Sequence, residues 1–226
     1  MRLCATADFH GFLPEIPECD VLLIAGDVCP VSDHRISRQR EWLRGPFNEW
    51  LGSLSVREIV GIAGNHDFAF QEDPLLGKSL AWQYLHHDYV DISDFSAMFR
   101  FWGSPLSAEF FDWAFMASEN ELAEVYEEIP VDADVVITHG PAYGLRDMTI
   151  DGRAVGSPSL RERLVAIKPS LLVCGHIHEA SGMDRLGKTL AVNASLVNFS
   201  YEPIFPPYLI ELSKEKDAKP IPKTHI

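Results

Sequence analysis

Basic residues are scarce in this chain: 19 lysines and arginines stand against 33 aspartates and glutamates, for a formal net charge of −14. A surface of that sign repels polyanions, which argues against duplex nucleic acid or an anionic membrane as a partner. No apolar run approaches the roughly 20 residues needed to span a bilayer. Cysteine is sparse too. Cys4, Cys19, Cys29 and Cys174 form no CxxC pair and lie in or beside apolar strand-like runs, so buried free thiols in a reducing compartment are expected. The opening residues Met1-Arg2-Leu3-Cys4-Ala5-Thr6-Ala7-Asp8 turn acidic too soon for a signal peptide. These absences predict a soluble, cytoplasmic protein. At 226 residues, 46% of them hydrophobic, the chain can bury one sizeable core, and residues 1–226 are expected to form a single domain with a peripheral tail after about 213.

What is present is a recurring pattern of apolar strands that end in ligand-type side chains. Gly61-Ile62-Ala63-Gly64-Asn65-His66-Asp67 follows the apolar run at 56–60 and offers an amide, an imidazole and a carboxylate in a tight turn. Leu3 to Ala7 reads as a strand ending at Asp8-Phe9-His10-Gly11, where residues two apart leave an extended chain on the same side. Val21-Leu22-Leu23-Ile24-Ala25-Gly26-Asp27 is apolar on both faces, as a central covered strand should be, and delivers Asp27 at its carboxyl end. In the second half, one strand delivers His139-Gly140-Pro141 and another delivers Gly175-His176-Ile177-His178. Each motif alone has a bland explanation as a turn or cap. Five of the nine histidines after buried strands, with two aspartates and an asparagine, point instead to a metal centre. Carboxylate, amide and imidazole donors without thiolate suit Mn, Fe, Zn or Co.

Between these strands, Trp42, Leu43, Phe47, Trp50, Leu51 and Leu54 recur at helical intervals, and Gly45-Pro46 predicts a break into two short helices. The strand–helix–strand order implies a parallel sheet. A helix is expected from Asp73-Pro74 to about Tyr84, and His86 and His87 after it point apart, which suits surface or capping roles. Phe110-Phe111-Asp112-Trp113-Ala114-Phe115 can be core or the wall of a cleft. Ser118-Glu119-Asn120-Glu121 is a capping box, and Ser157-Pro158 starts a helix that Lys168-Pro169 stops. A last strand over 208–212 precedes a charged end expected to fray.

Asp8-x-His10, Gly26-Asp27, Gly64-Asn65-His66-Asp67, Thr138-His139-Gly140 and Gly175-His176-x-His178 together resemble the five blocks of the calcineurin-like metallophosphoesterases. Trp102-Gly103-Ser104-Pro105, Asp112-Trp113-Ala114-Phe115, Pro141 with Arg146-Asp147, and Glu179 after His178 are similar to the branch of metallophosphoesterase-domain brain proteins, which resembles class III cyclic-nucleotide phosphodiesterases. The resemblance implies an α/β, four-layer αββα sandwich with a dinuclear site at the carboxyl ends of the strands. By the same resemblance one divalent ion, Mn first, takes Asp8, His10, Asp27 and His178. The other takes Asp27, Asn65, His139 and His176. His66 then meets the substrate phosphate, and Asp67 orients it. One departure is visible: phosphoprotein phosphatases continue Gly-Asp into Asp-Arg-Gly, whereas Gly26-Asp27 runs into Val28-Cys29-Pro30-Val31, which argues against protein-phosphatase activity.

The implied activity is hydrolysis of small phosphodiesters, cyclic nucleotides among them, by a hydroxide that bridges the two ions. Two divalent ions less Asp8, Asp27 and a hydroxide leave the pocket positive inside an acidic protein, which favours a small phosphate ester. Alternatives are phosphomonoesterase or nuclease action at the same site, or a partner-binding scaffold. A scaffold is the weaker alternative because every ligand position is filled. Oligomeric state is left open.

Overall fold

The computed structural model describes residues 1–94, 97–213, 215 and 217–222. Its core is two six-stranded mixed sheets packed face to face. The first contains β1 (Arg2–Thr6), β2 (Val21–Ala25), β3 (Glu58–Ile62) and β4 (Gln83–Tyr84), and it is completed by β13 (Tyr208–Leu212) and β14 (Ala218–Pro220). Its order is β14-β13-β1-β2-β3-β4, with β1 to β4 parallel and β13 antiparallel to β1. The second sheet contains β5 (Asp88–Ser93), β6 (Met98–Ser104), β9 (Val135–Thr138), β10 (Leu171–Cys174), β11 (Gly182–Leu186) and β12 (Thr189–Asn193). It runs β11-β12-β10-β9-β6-β5, parallel in its four central strands and antiparallel at both edges. A small parallel pair, β7 (Ser107–Ala108) and β8 (Met116–Ala117), stands outside both sheets.

Alternation along the strands builds the layers. Leu3, Ala5, Val21, Leu23 and Val60 face Phe99, Phe101, Val135, Ile137, Leu171 and Val173 between the sheets. The intervening Cys4, Leu22, Ile24 and Ile59 turn outward onto Leu43, Phe47, Leu51, Phe70 and Leu76. These last side chains come from the helical segment over 36–53 and from α3 (Phe68–Glu72) and α4 (Pro74–Lys78). On the far side Val136, Leu172 and Ala191 meet Leu122, Tyr126, Leu160 and Leu164 of α5 (Glu119–Glu127) and α6 (Pro158–Ile167). The order is therefore helix, sheet, sheet, helix, the expected αββα sandwich. Strands buried on both faces must be apolar throughout, which is why they were legible as continuous runs.

Three local expectations change. Residues 36–53 do hold two short α-helices, α1 (Ile36–Trp42) and α2 (Asn48–Ser53), but no break separates them: a wide π turn at Leu43–Phe47 joins them. The Asn48 amide reaches back to the Leu43 carbonyl, so the missing donor of Pro46 is absorbed without a break. The helix expected to reach Tyr84 stops at Lys78. There the Trp82 indole donates to the Gly77 carbonyl and the chain turns into β4, whose pairing with β3 outweighs the helix. The tail is not frayed over 218–220, where β14 pairs with β13; residues 223–226 lie outside the described residues. The capping box of α5 forms as expected, and all four cysteines are buried free thiols. No helix among the described residues is long and apolar enough to cross a membrane.

The sheets are stitched together at the carboxyl ends of β1 and β12. Ala7 donates to the Ala194 carbonyl at 2.9 Å and accepts from Leu196 at 3.0 Å. That seam brings the strand-end loops of both sheets to one place.

Candidate metal centre

The loops after β1, β2, β3, β9 and β10 converge there, and they carry all the side chains singled out in the sequence. Asp8, His10, Asp27, Asn65, His66, Asp67, His139 and His178 are buried, and His176 is half-buried. His10 Nε2 lies 3.1 Å from His178 Nε2 and 3.8 Å from Asp27 Oδ2. Asn65 Oδ1 sits 2.8 Å from His139 Nε2 and 2.7 Å from His176 Nδ1. Asp27 Oδ2 is 3.4 Å from His139 Nε2, and Asp8 Oδ1 is 3.9 Å from His178 Nε2. Three overlapping triads have converging donor atoms: Asp8 with His10 and His178, Asp8 with Asp27 and His139, and Asp27 with His10 and His66. His86 and His87 lie outside them.

The backbone is strained to achieve this. Asp8, His10, Asp27 and His176 all have left-handed φ values, 55°, 46°, 54° and 69°. Such conformations cost of order 1–3 kcal/mol each in non-glycine residues, and they gather where geometry matters for function. Close approach also demands glycine. A Cβ on Gly64 would lie 2.3 Å from Asp27 Oδ1, so no larger residue lets the β3 loop reach this carboxylate.

Hydrogen bonds from the scaffold hold each part. Asp8 accepts from the His176 amide at 3.0 Å, and Asp27 Oδ1 accepts from the His66 amide at 2.7 Å. The Gln39 side chain of α1 donates to the His66 carbonyl and accepts from the Ala69 amide, at 2.6 and 2.9 Å. Asn193 Nδ2, at the end of β12, donates to the Gly175 and Ile177 carbonyls. Arg146 fastens the next turn through Ala180 and Ser181. Gln39 and Asn193 were not singled out for function, because a lone amide in a helix or at a strand end carries no local signal.

Asp67 differs from expectation. Its carboxylate accepts from the amides of Cys29, Gly64 and Val28 at 2.8, 2.8 and 3.2 Å, and so ties the β2 and β3 loops together. It does not orient the His66 ring. That ring meets His34 instead, with His66 Nδ1 3.1 Å from His34 Nε2, and Trp113 packs on it at 4.1 Å between ring centroids. His34 was missed because a single histidine in a polar loop has no motif around it.

Electrostatics follow from burial and from Asp27. Burial raises the Asp8 carboxyl above its ordinary range. Burial also opposes ionisation of Asp27, yet the histidines around it, His139 and His66 foremost, hold it well below that range. Burial disfavours charge on His139, but Asp27 overrides this and brings it up to about 9. Burial pushes His10 well down, His66 to about 4 and His176 to about 3. Neutral imidazoles around an ionised carboxylate are the ligating forms, and a cation held there would displace the proton that Asp27 favours on His139.

The residues fit a pair of divalent ions. Neighbouring donors on a six-coordinate ion at about 2.1 Å are about 3 Å apart. The Asn65, His139, His176, His10 and His178 donors sit at that spacing, with Asp27 between the two groups. Over them opens a cleft of about 440 Å³. Phe110, Trp113, Ile150, Val155, Phe199 and Tyr201 wall it, so part of the aromatic segment at 110–115 is cleft wall, whereas Ala114 and Phe115 belong to the core.

Comparison with known proteins bears on the family and the fold. The model of the calcineurin-like phosphoesterase family matches residues 1–180. The human metallophosphoesterase domain-containing protein 1 is 31% identical over 243 aligned positions, covering 96% of this chain and 72% of that protein. Among solved structures, the phosphopantetheinyl hydrolase of Mycobacterium tuberculosis superposes with a TM-score of 0.59 at 12% identity, covering 87% of this chain and 89% of that one. A dimetal phosphatase from Danio rerio superposes with a TM-score of 0.52 at 11% identity, covering 92% and 91%. At such identities the structural likeness speaks for the fold alone. The family's pattern, however, runs from the first ligand-bearing strand through the last, and this chain therefore belongs to the calcineurin-like phosphoesterases, metal-dependent hydrolases that work with a pair of divalent ions.

Proposed function

We propose that the chain hydrolyses small phosphodiesters, with Asp8, His10, Asp27 and His178 holding one ion and Asp27, Asn65, His139 and His176 the other. When bound, such a pair polarises the phosphoryl oxygens and makes water nucleophilic at neutral pH. Manganese is the first choice because the donors are oxygen and imidazole nitrogen without thiolate. His66 is not needed as a ligand: its Nε2 faces the centre from 3.9 Å off Asp27 Oδ2. It donates a proton or hydrogen bond to the departing oxygen. Four buried thiols are in keeping with a reducing, cytoplasmic setting.

The observation that supports a diester is the lining of the cleft. Among the described lining residues Arg153 is the one lysine or arginine, while Glu109, Asp151 and Glu179 add carboxylates beyond the metal-facing Asp27. A phosphodiester brings one negative charge and a monoester close to two, so the acidic rim penalises the monoester and a nucleic-acid polyanion more. The aromatic walls suit a planar or apolar substituent, such as the base of a cyclic nucleotide. The test is a set of rates on manganese-loaded protein with bis-p-nitrophenyl phosphate, p-nitrophenyl phosphate, cyclic nucleotides and duplex DNA. Diesters should exceed the monoester in kcat/KM, with duplex DNA slowest. A faster monoester would replace this assignment with a phosphomonoesterase, and efficient duplex cleavage with a nuclease.

A further inference from the structure

We propose that His34 is a positioning residue for the reaction: its Nε2 holds His66 by Nδ1 and thereby directs His66 Nε2 at the leaving oxygen. The proposal rests on the assignment of His66 to the departing oxygen made above.

The geometry leaves few other ways to hold this ring. The two nitrogens are 3.1 Å apart, within hydrogen-bond distance. Asp67, the adjacent carboxylate, spends its oxygens on the amides of Val28, Cys29 and Gly64. Gln39 fixes the backbone of His66 but not its ring. Trp113 packs across both imidazoles, 4.1 Å from His66 and 5.5 Å from His34, and Phe68 lies 5.5 Å from His34. His34 itself stands in the loop between β2 and α1, half-buried at the edge of the centre. Its neighbours Asp33 and Arg35 are bonded to each other, which leaves the imidazole turned toward His66.

Which nitrogen of a histidine carries its proton is set by the partner of the other. With His34 Nε2–H donating to His66 Nδ1, the one proton of the neutral His66 ring is held on Nε2. That Nε2–H is then the group exposed to the departing oxygen. As water adds to phosphorus and the ester P–O bond breaks with its electron pair, Nε2–H hydrogen-bonds the departing oxygen, which takes up the proton the water releases. His66 ends the step neutral with its proton still on Nε2, so the step is balanced without another reactant. An orienting hydrogen bond of this kind serves a poor leaving group more than a good one, because p-nitrophenolate needs no protonation to depart.

The experiment compares wild type with His34→Ala, His34→Gln and His66→Asn, all metal-loaded, for metal content, KM and kcat. Substrates are a p-nitrophenyl diester and a diester with an alkyl leaving group. Zinc-loaded samples, which are diamagnetic, are examined by nitrogen-15 NMR of the histidine rings. His34→Ala should keep two ions and a KM within about twofold, and lose about 10- to 100-fold in kcat on the alkyl ester but less on the p-nitrophenyl ester. His34→Gln, whose side-chain amide N–H can donate to Nδ1, should recover most of that loss. The His66 ring nitrogens should report a protonated Nε2 and a hydrogen-bonded, unprotonated Nδ1 in wild type, and that pattern should be lost or shifted in His34→Ala. Unchanged kcat on the alkyl ester, loss of an ion, or an unmoved His66 resonance overturns the proposal. Normal turnover by His66→Asn would sink the catalytic assignment of His66 separately, and the NMR resonance would still decide whether His34 sets its ring. Should His34→Ala fold poorly, His34→Gln and the NMR of wild type carry the test.

Discussion

At the residue scale, neighbouring side chains do different work because consecutive residues leave a turn in different directions. Asn65 points its oxygen between His139 and His176, while His66 turns toward Asp27, His34 and Trp113. His66→Asn should therefore keep both ions and lower kcat by about 10²–10⁴-fold, the range for acid–base groups. His176→Asn should lose occupancy at one ion and regain activity with excess metal. Metal analysis and kcat taken in parallel distinguish the two, and loss of an ion from His66→Asn would show the roles reversed. The same contrast explains why Asp67, next in the chain, is not part of the chemistry. It is buried among amides, and its oxygens are already occupied.

At the scale of elements, the centre depends on loops that belong to different strands, and single side chains couple them. Asp67 joins the loop after β3 to the one after β2, and Asn193 at the end of β12 holds the loop after β10. Gln39 extends the same support from α1. Asp67→Ala would leave three backbone amides without their acceptor, two of them from the loop that carries Asp27. With about 1–3 kcal/mol for each unsatisfied buried group, the variant should lose at least about 3 kcal/mol of stability. It should also bind metal more weakly. Denaturant unfolding of the metal-free protein measures the first effect; a change below about 1 kcal/mol would mean that water replaces the carboxylate without cost.

At the scale of the whole molecule, two sheets with separate outer helix layers meet at one seam, and the metal centre bridges them. Asp8, Asp27 and Asn65 come after strands of the first sheet, whereas His139 and His176 come after strands of the second. An ion held from both sides stabilises only the assembled fold, so its binding adds to stability by mass action. Chelation should abolish turnover and lower Tm, and Mn²⁺ should restore both with a concentration-dependent rise in Tm. Full activity in protein shown by elemental analysis to be metal-free would end the metal-dependent account. Calorimetric unfolding at several metal concentrations reads the stability part independently of any substrate.

The sequence by itself determined the doubly covered strands, the α5 capping box, and the seven ligand-type side chains that end those strands. Each of these is local: a strand buried on both faces must be apolar along its whole length, and the turn at its end presents polar side chains at the rim of the sheet. It also carried the family, because the five blocks are short and contiguous. Tertiary structure decided whatever depends on neighbours distant in the chain. Pro46 does not break its helix because the Asn48 amide can reach the Leu43 carbonyl across a wider turn. The helix after Pro74 ends early because pairing with β3 claims residues 83–84. His34 gained its place beside His66, and Asp67 lost its expected one, through contacts spanning 32 and 38 residues, a reach at which no spacing pattern survives.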